Sequence, residues 1–162
     1  MQTFVPLIGS ADTAKVLDRA RLNKQALEGW QILMTLTELD PQGNHRTPKG
    51  WVNHPAVKMW RGYEGALTLY ILSMVREWER RGYKSTIALK AVTTYIQAVK
   101  LGKINHSTQL PPWMKDSTHF GEIASSHRMA LLSKDYEWYS QFDWPEDKGV
   151  RPASYDYIWP VD

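Results

Sequence analysis

Residues 21–33 read RLNKQALEGWQIL. Wound at 100° per residue, the stretch gathers Leu22, Ala26, Trp30 and Leu33, with Met34 just beyond, on one apolar arc. Arg21, Lys24, Gln25 and Glu28 fall on the other side, within about 100° of one another. That two-sidedness predicts an amphipathic helix whose apolar arc seeks a core. The polar quartet admits two readings. It is a wet face with a Lys24–Glu28 pair at i, i+4, contributing a few tenths of a kcal/mol, or it is the floor of a site.

Working outward, this helix is expected to run from about Asp12 to Leu36, capped by Ser10 or Asp12. The turn-rich loop DPQGNHRTPKG follows. A second helix begins at NHP, with Asn53 or His54 as cap and Pro55 in the first turn, and stops at Gly82. A third is capped by Ser85 or Thr86 and ends near Lys100, with Gly102 beyond. After a loop containing QLPPW, a fourth spans roughly residues 117–133, with a short helical piece near 135–142. The last twenty residues read as an extended tail packed on the body. The expectation is an all-α fold: a single compact helical domain, residues 1–162, of about four helices with long loops.

A chain of 162 residues with eight Trp, eight Tyr and three Phe can bury a sizeable core. No apolar run approaches the roughly 20 residues needed to span a membrane. MQTFVPLIGSAD lacks a basic and a long apolar region, so no signal peptide is expected. The absence of cysteine excludes disulfides, thiolate nucleophiles and Cys-type zinc sites, and fits a reducing cytoplasm. The five histidines, at 45, 54, 106, 119 and 127, have no i, i+3 or i, i+4 spacing, so neither a metal nor another cofactor is expected.

Net charge is only +3, but it is unevenly spread. Arg80, Arg81, Lys84, Lys90, Lys100, Lys103 and Lys115 lie in a stretch with no acidic residue, whereas acidic residues dominate after Asp135. A one-sign stretch points to a polyanion such as nucleic acid; balanced against the acidic tail it is an ordinary solvated face.

Two polar residues sit on apolar stripes. Val57, Trp60, Leu67, Ile71, Met74, Val75 and Trp78 would form one buried stripe of the second helix, with Glu64 in its middle. Glu64 is therefore expected to be buried and to touch Arg21, Lys24, Gln25, Arg61 or His127. Phe120, Ile123, Ala124, Ala130 and Leu131 would line the fourth helix, with His127 in that arc. Each is an ordinary anchored core residue or part of a pocket with shifted pKa.

MQTFVP, VLDRARLNKQALEGWQIL, GWVNHPAVKMWRGYEGAL, EWERRGYKST, SSHRMALLSKDYEWY and the terminal YIWP, in that order, resemble the pyrimidine-dimer DNA glycosylases, the phage-type endonuclease V glycosylase/lyases and their bacterial and phage relatives. The resemblance implies a small metal-free α-helical enzyme acting on double-stranded DNA as a monomer. In that chemistry the N-terminal α-amine attacks C1′, the base leaves, a Schiff base forms, and β-elimination can cut the strand. An α-amine, with an ordinary pKa near 8, is partly neutral at pH 7. A Glu following an Arg on the first helix assists.

Placed on that Arg-Glu segment, Lys24 takes the Arg position and Gln25 the Glu position. Gln cannot ionise, so the carboxylate must be Glu28 or Glu64. Residue 2 is Gln rather than a small residue, so the amine would be that of Met1, and glycosylase chemistry with water as nucleophile stands equally beside the coupled lyase. The candidate catalytic set is Met1, Gln25, Glu28, Glu64 and His127. Arg21, Lys24, His54, Arg61, Arg80, Arg81, Lys84 and Arg128 are candidates for DNA contact. The competing readings are a non-catalytic DNA-binding module on the same fold and an enzyme acting on free nucleotides.

Overall fold

The arc of Leu22, Ala26, Trp30 and Leu33 is buried in the computed structural model, which describes residues 1–161. Eight α-helices occur among the described residues rather than about four: α1 (Ser10–Val16), α2 (Arg19–Thr37), α3 (Pro55–Lys58), α4 (Glu64–Arg80), α5 (Ile87–Lys100), α6 (Pro112–Lys115), α7 (Ser117–Lys134) and α8 (Tyr136–Tyr139). They form a single compact all-α body. No strand occurs among the described residues; one isolated bridge pairs Leu39 with His45.

The extra helices arise largely where two long ones were expected. The first break is at Leu17, whose ψ of 137 is extended. Asp18 then restarts the chain as α2, its carboxylate accepting the Arg21 N–H. The Tyr139 hydroxyl at the end of α8 donates to that same carboxylate, which fixes the corner. The second break lies between α3 and α4, where Gly62 takes a φ of 84 that side chains with a Cβ resist.

This second break corrects the placement of Glu64. It does not sit in the middle of a stripe but is the first residue of α4. Its carboxylate accepts the Gly62 N–H at 3.0 Å and faces the positive end of the α4 dipole. Glu64 is buried as expected. The expected contacts with Arg21, Lys24, Gln25, Arg61 or His127 are not among its bonds; the carboxylate takes the Gly62 N–H of the preceding turn instead.

Leu67, Tyr70, Ile71, Met74 and Val75 of α4 are buried, and α2 packs against them more extensively than any other pair of helices. Gly29 makes that approach possible: a Cβ there would stand 2.6 Å from Ile71 Cγ1. The expected loop around QLPPW contains α6, whose Trp113 packs on Trp60 with ring centroids 5.4 Å apart. Of the last twenty residues, Trp144 is buried, and Tyr155, Tyr157 and Trp159 pack against the core. Among the described residues no helix is long and apolar enough to cross a membrane.

Candidate active site

Residues 2–5 are buried backbone outside any helix. With no neighbouring strand, their N–H groups need other partners, since a buried unpaired donor costs roughly 1–3 kcal/mol. Each finds a side-chain acceptor. The Gln2 N–H donates to Glu28 Oε2 at 3.4 Å, and the Thr3 N–H to the Gln2 side-chain oxygen at 2.9 Å. The Phe4 N–H donates to Gln25 Oε1 at 2.7 Å, and the Val5 N–H to His127 Nδ1 at 2.9 Å. Carbonyls are held as well: Gln25 Nε2 donates to the Gln2 carbonyl at 2.9 Å, and Arg128 donates to the Pro6 carbonyl at 2.9 Å.

Gln25 is the centre of this clasp. Its oxygen faces a donor and its nitrogen faces an acceptor, so the amide has only one workable orientation. The Tyr70 hydroxyl lies 2.7 Å from both the Gln25 oxygen and the Phe4 carbonyl; its single proton serves one of them at a time. Burial, together with the charge of Glu28, raises the Tyr70 pKa well above its ordinary value, so it stays a donor. The expectation that Gln25 approaches a sugar directly is thus corrected. Its polar atoms are already bonded to the N-terminal segment, and it is 1% exposed.

The clasp delivers Met1 and Gln2 to a cleft of about 420 Å³. One wall is α2, with Arg21, Lys24, Gln25 and Glu28; the other is Lys134 with Tyr155 and Tyr157. Lys24 Nζ lies 3.6 Å from Glu28 Oε1. Arg21 is tied to Asp18 at 3.2 Å. The expected quartet therefore does line a cleft, with Glu28 at its inner end and Lys24 largely in solvent. Met1 also borders a second cleft, of about 290 Å³, with Arg46, Lys49 and Trp51.

His127 is fully buried and stands behind the cleft rather than in it. Its Nδ1 accepts from Val5, so Nε2 carries the proton, between the rings of Phe4 and Tyr157. Burial pushes its pKa down to about 3. A base with a depressed folded-state pKa stabilises the fold above its unfolded pKa of about 6.5, and that contribution is lost as pH falls towards 3. Stability should therefore fall by about 2 kcal/mol between pH 7 and pH 5 from this group. His127→Asn keeps an acceptor near Val5 and should flatten that slope in denaturant titrations at the two pH values; an unchanged slope would assign it elsewhere.

The other DNA-contact candidates divide. Arg81 donates to the carbonyls of Ala14, Lys15 and Leu17, closing the end of α1. Arg128 is paired with Glu146 at 2.6 Å. Both guanidiniums are mostly buried and occupied within the fold, which corrects their assignment to DNA contact. Arg80 is bonded to Glu77 but is 67% exposed; Lys84 is exposed. Arg61 donates to the Val52 carbonyl at 3.1 Å. The His54 ring caps α3 through Ala56; burial and then the Met1 α-amine charge lower its pKa. None of Glu64, Arg61, Arg80, Arg81, Lys84 and Arg128 lines the larger cleft.

Lys134, Tyr155 and Tyr157 are absent from the sequence-based candidates. Their signal is the alternation in YDYIWPV: Tyr155, Tyr157 and Trp159 turn to the body, while Asp156 and Ile158 face solvent. Such period-two alternation is what an extended segment on a surface shows.

No curated protein and no solved structure matches the chain. The family model of the pyrimidine dimer DNA glycosylases matches residues 1–91, which hold the clasped segment, the Arg21–Glu28 wall and α4. The chain belongs to the pyrimidine dimer DNA glycosylase family.

Proposed function

We propose that this chain, as one glycosylase domain and as a monomer, excises a damaged or modified base from double-stranded DNA with the Met1 α-amine as nucleophile. The observation that carries this reading is the clasp. Four consecutive buried N–H groups are held by side chains, and the effect is to hold Met1 at the mouth of a cleft beside a carboxylate. Holding a nucleophile in one geometry is worth several kcal/mol of barrier.

In this reaction the neutral amine nitrogen bonds to C1′ as the C1′–N bond to the base breaks, and the base departs with the electron pair. Glu28 faces the positive charge that develops on the sugar and takes a proton from the attacking amine. Ring opening gives the Schiff base. Loss of a C2′ proton and departure of the 3′ phosphate then cut the strand. Arg21 and Lys24 hold flanking phosphates, and Arg80 and Lys84 extend the contact. The target base leaves the stack, at a cost of a few kcal/mol.

The non-catalytic reading drew on Gln25 standing where the family has a carboxylate. Gln25 is occupied in the clasp, and Glu28, one turn on, has its carboxylate against the Gln2 backbone. The catalytic reading is favoured for that reason.

The test uses ultraviolet-irradiated duplex DNA, with base release scored as C1′–N cleavage through alkali-labile strand breaks because a dimerised base stays bonded to its neighbour, and duplex with one abasic site for borohydride trapping. Base release and a trapped adduct that maps to Met1 are expected. An adduct on a lysine moves the nucleophile. Salt-sensitive duplex binding with neither release nor trapping gives the non-catalytic module instead.

A further inference from the structure

Departure of a base requires more than a nucleophile and a carboxylate. When C1′–N breaks, the electron pair stays on the base, and without a proton the leaving group is an anion. Glu28 and Met1 attend the sugar. The opposite wall of the cleft has no part in the reaction so far, and it carries two phenols and an ammonium.

Tyr155 is partly buried on the tail. Lys134 Nζ, at the end of α7, lies 5.0 Å from its ring centre, and the Tyr157 ring lies 5.3 Å away. We propose that Tyr155 donates the proton to the departing base and that Lys134 holds the phenolate left behind, a role that rests on the glycosylase reading above. In the step, the Tyr155 O–H bond breaks and its proton joins the base as C1′–N breaks. The negative charge on the phenolic oxygen faces the Lys134 ammonium, and solvent returns the proton once the base has gone.

The groups facing Tyr155 support this choice over its neighbour. They are Lys134 from α7, Arg21 from α2 and Tyr157 from the tail. The Lys134 ammonium beside the hydroxyl outweighs burial and holds the Tyr155 pKa below the ordinary phenol value, with Tyr157 and Arg21 acting in the same sense. Burial instead raises Tyr157, as do Tyr155 and the Glu28 charge. Asp156, between the two, lines a different cleft. Of the two phenols at this wall, only Tyr155 is tuned as an acid.

Tyr155→Phe keeps the ring and removes the proton. On ultraviolet-irradiated duplex, C1′–N cleavage at neutral pH, read as alkali-labile strand breaks, should fall about 100-fold. Borohydride trapping on pre-formed abasic duplex, where no base departs, should fall far less. The pH profile supplies a second readout, which a stacking role would not move. Base release should decline on the alkaline side as Tyr155 ionises, and Lys134→Met should shift that limb to higher pH because the phenol loses its cation.

Undiminished release by Tyr155→Phe, or equal loss of release and trapping, overturns the proton-donor role and leaves the glycosylase reading standing. An alkaline limb unmoved by Lys134→Met does the same. Absence of both release and trapping in the unaltered protein defeats the glycosylase reading itself.

Discussion

Glu28→Gln should lower base release by about 10²- to 10³-fold while the melting temperature stays within a degree or two. The glutamine keeps an oxygen to accept the Gln2 N–H, now at 3.4 Å, and fills the same volume. It loses the Lys24 pair at 3.6 Å, and Lys24 is 68% exposed, so that loss amounts to less than about 1 kcal/mol. What disappears is the negative charge that the proposed reaction sets against the sugar. Single-turnover base release, read beside thermal melting, checks it. A rate within about threefold of the unaltered protein would take Glu28 out of the mechanism.

Gln25→Leu should have the opposite signature, a large fall in stability together with loss of activity. Leucine fits the volume but offers no polar atom. The Phe4 N–H and the Gln2 carbonyl then lie buried without their partners, at roughly 1–3 kcal/mol each. The total is about 2–6 kcal/mol, a large share of the stability of a domain this size. Denaturant unfolding measures the loss. Trapping on abasic DNA should fall as well, since Met1 would no longer be held at the cleft. Stability within about 1 kcal/mol of the original would mean that water or a shifted Tyr70 replaces the clasp.

The pattern of residues 21–33 was enough to place α2, and turn chemistry placed α5 and α7. What periodicity missed were interruptions. Leu17 and Asp18 end one helix and begin another without breaking the apolar rhythm, and only the Asp18 cap marks the place. Gly62 was visible in the sequence, but the apolar residues on either side of it fit one helical stripe. That false continuity put Glu64 in the core's centre, whereas it is the first residue of α4. Candidate site residues on α2 were legible because they are local. Lys134, Tyr155 and Tyr157 reach the cleft through tertiary packing, and Gln25 was misjudged because its bonding partners are backbone groups more than 20 residues away, whose demand for hydrogen bonds leaves no mark in sequence.

The clasp also sets an order of events during synthesis. Residues 2–5 are made well before α7, yet the Val5 N–H has its acceptor at His127, 122 residues later. Tyr155 and Tyr157, which form the far wall, follow later still. Until α7 exists the Val5 N–H lacks its acceptor, although Gln25, Glu28 and Tyr70 can already hold residues 2 and 4. A nascent chain, or one cut short before α7, can thus hold most of its helices and the α2 wall of the cleft without the far wall. The far wall of the cleft is completed only after α7, whereas the grip of Gln25 and Glu28 on residues 2 and 4 is available once α2 has formed.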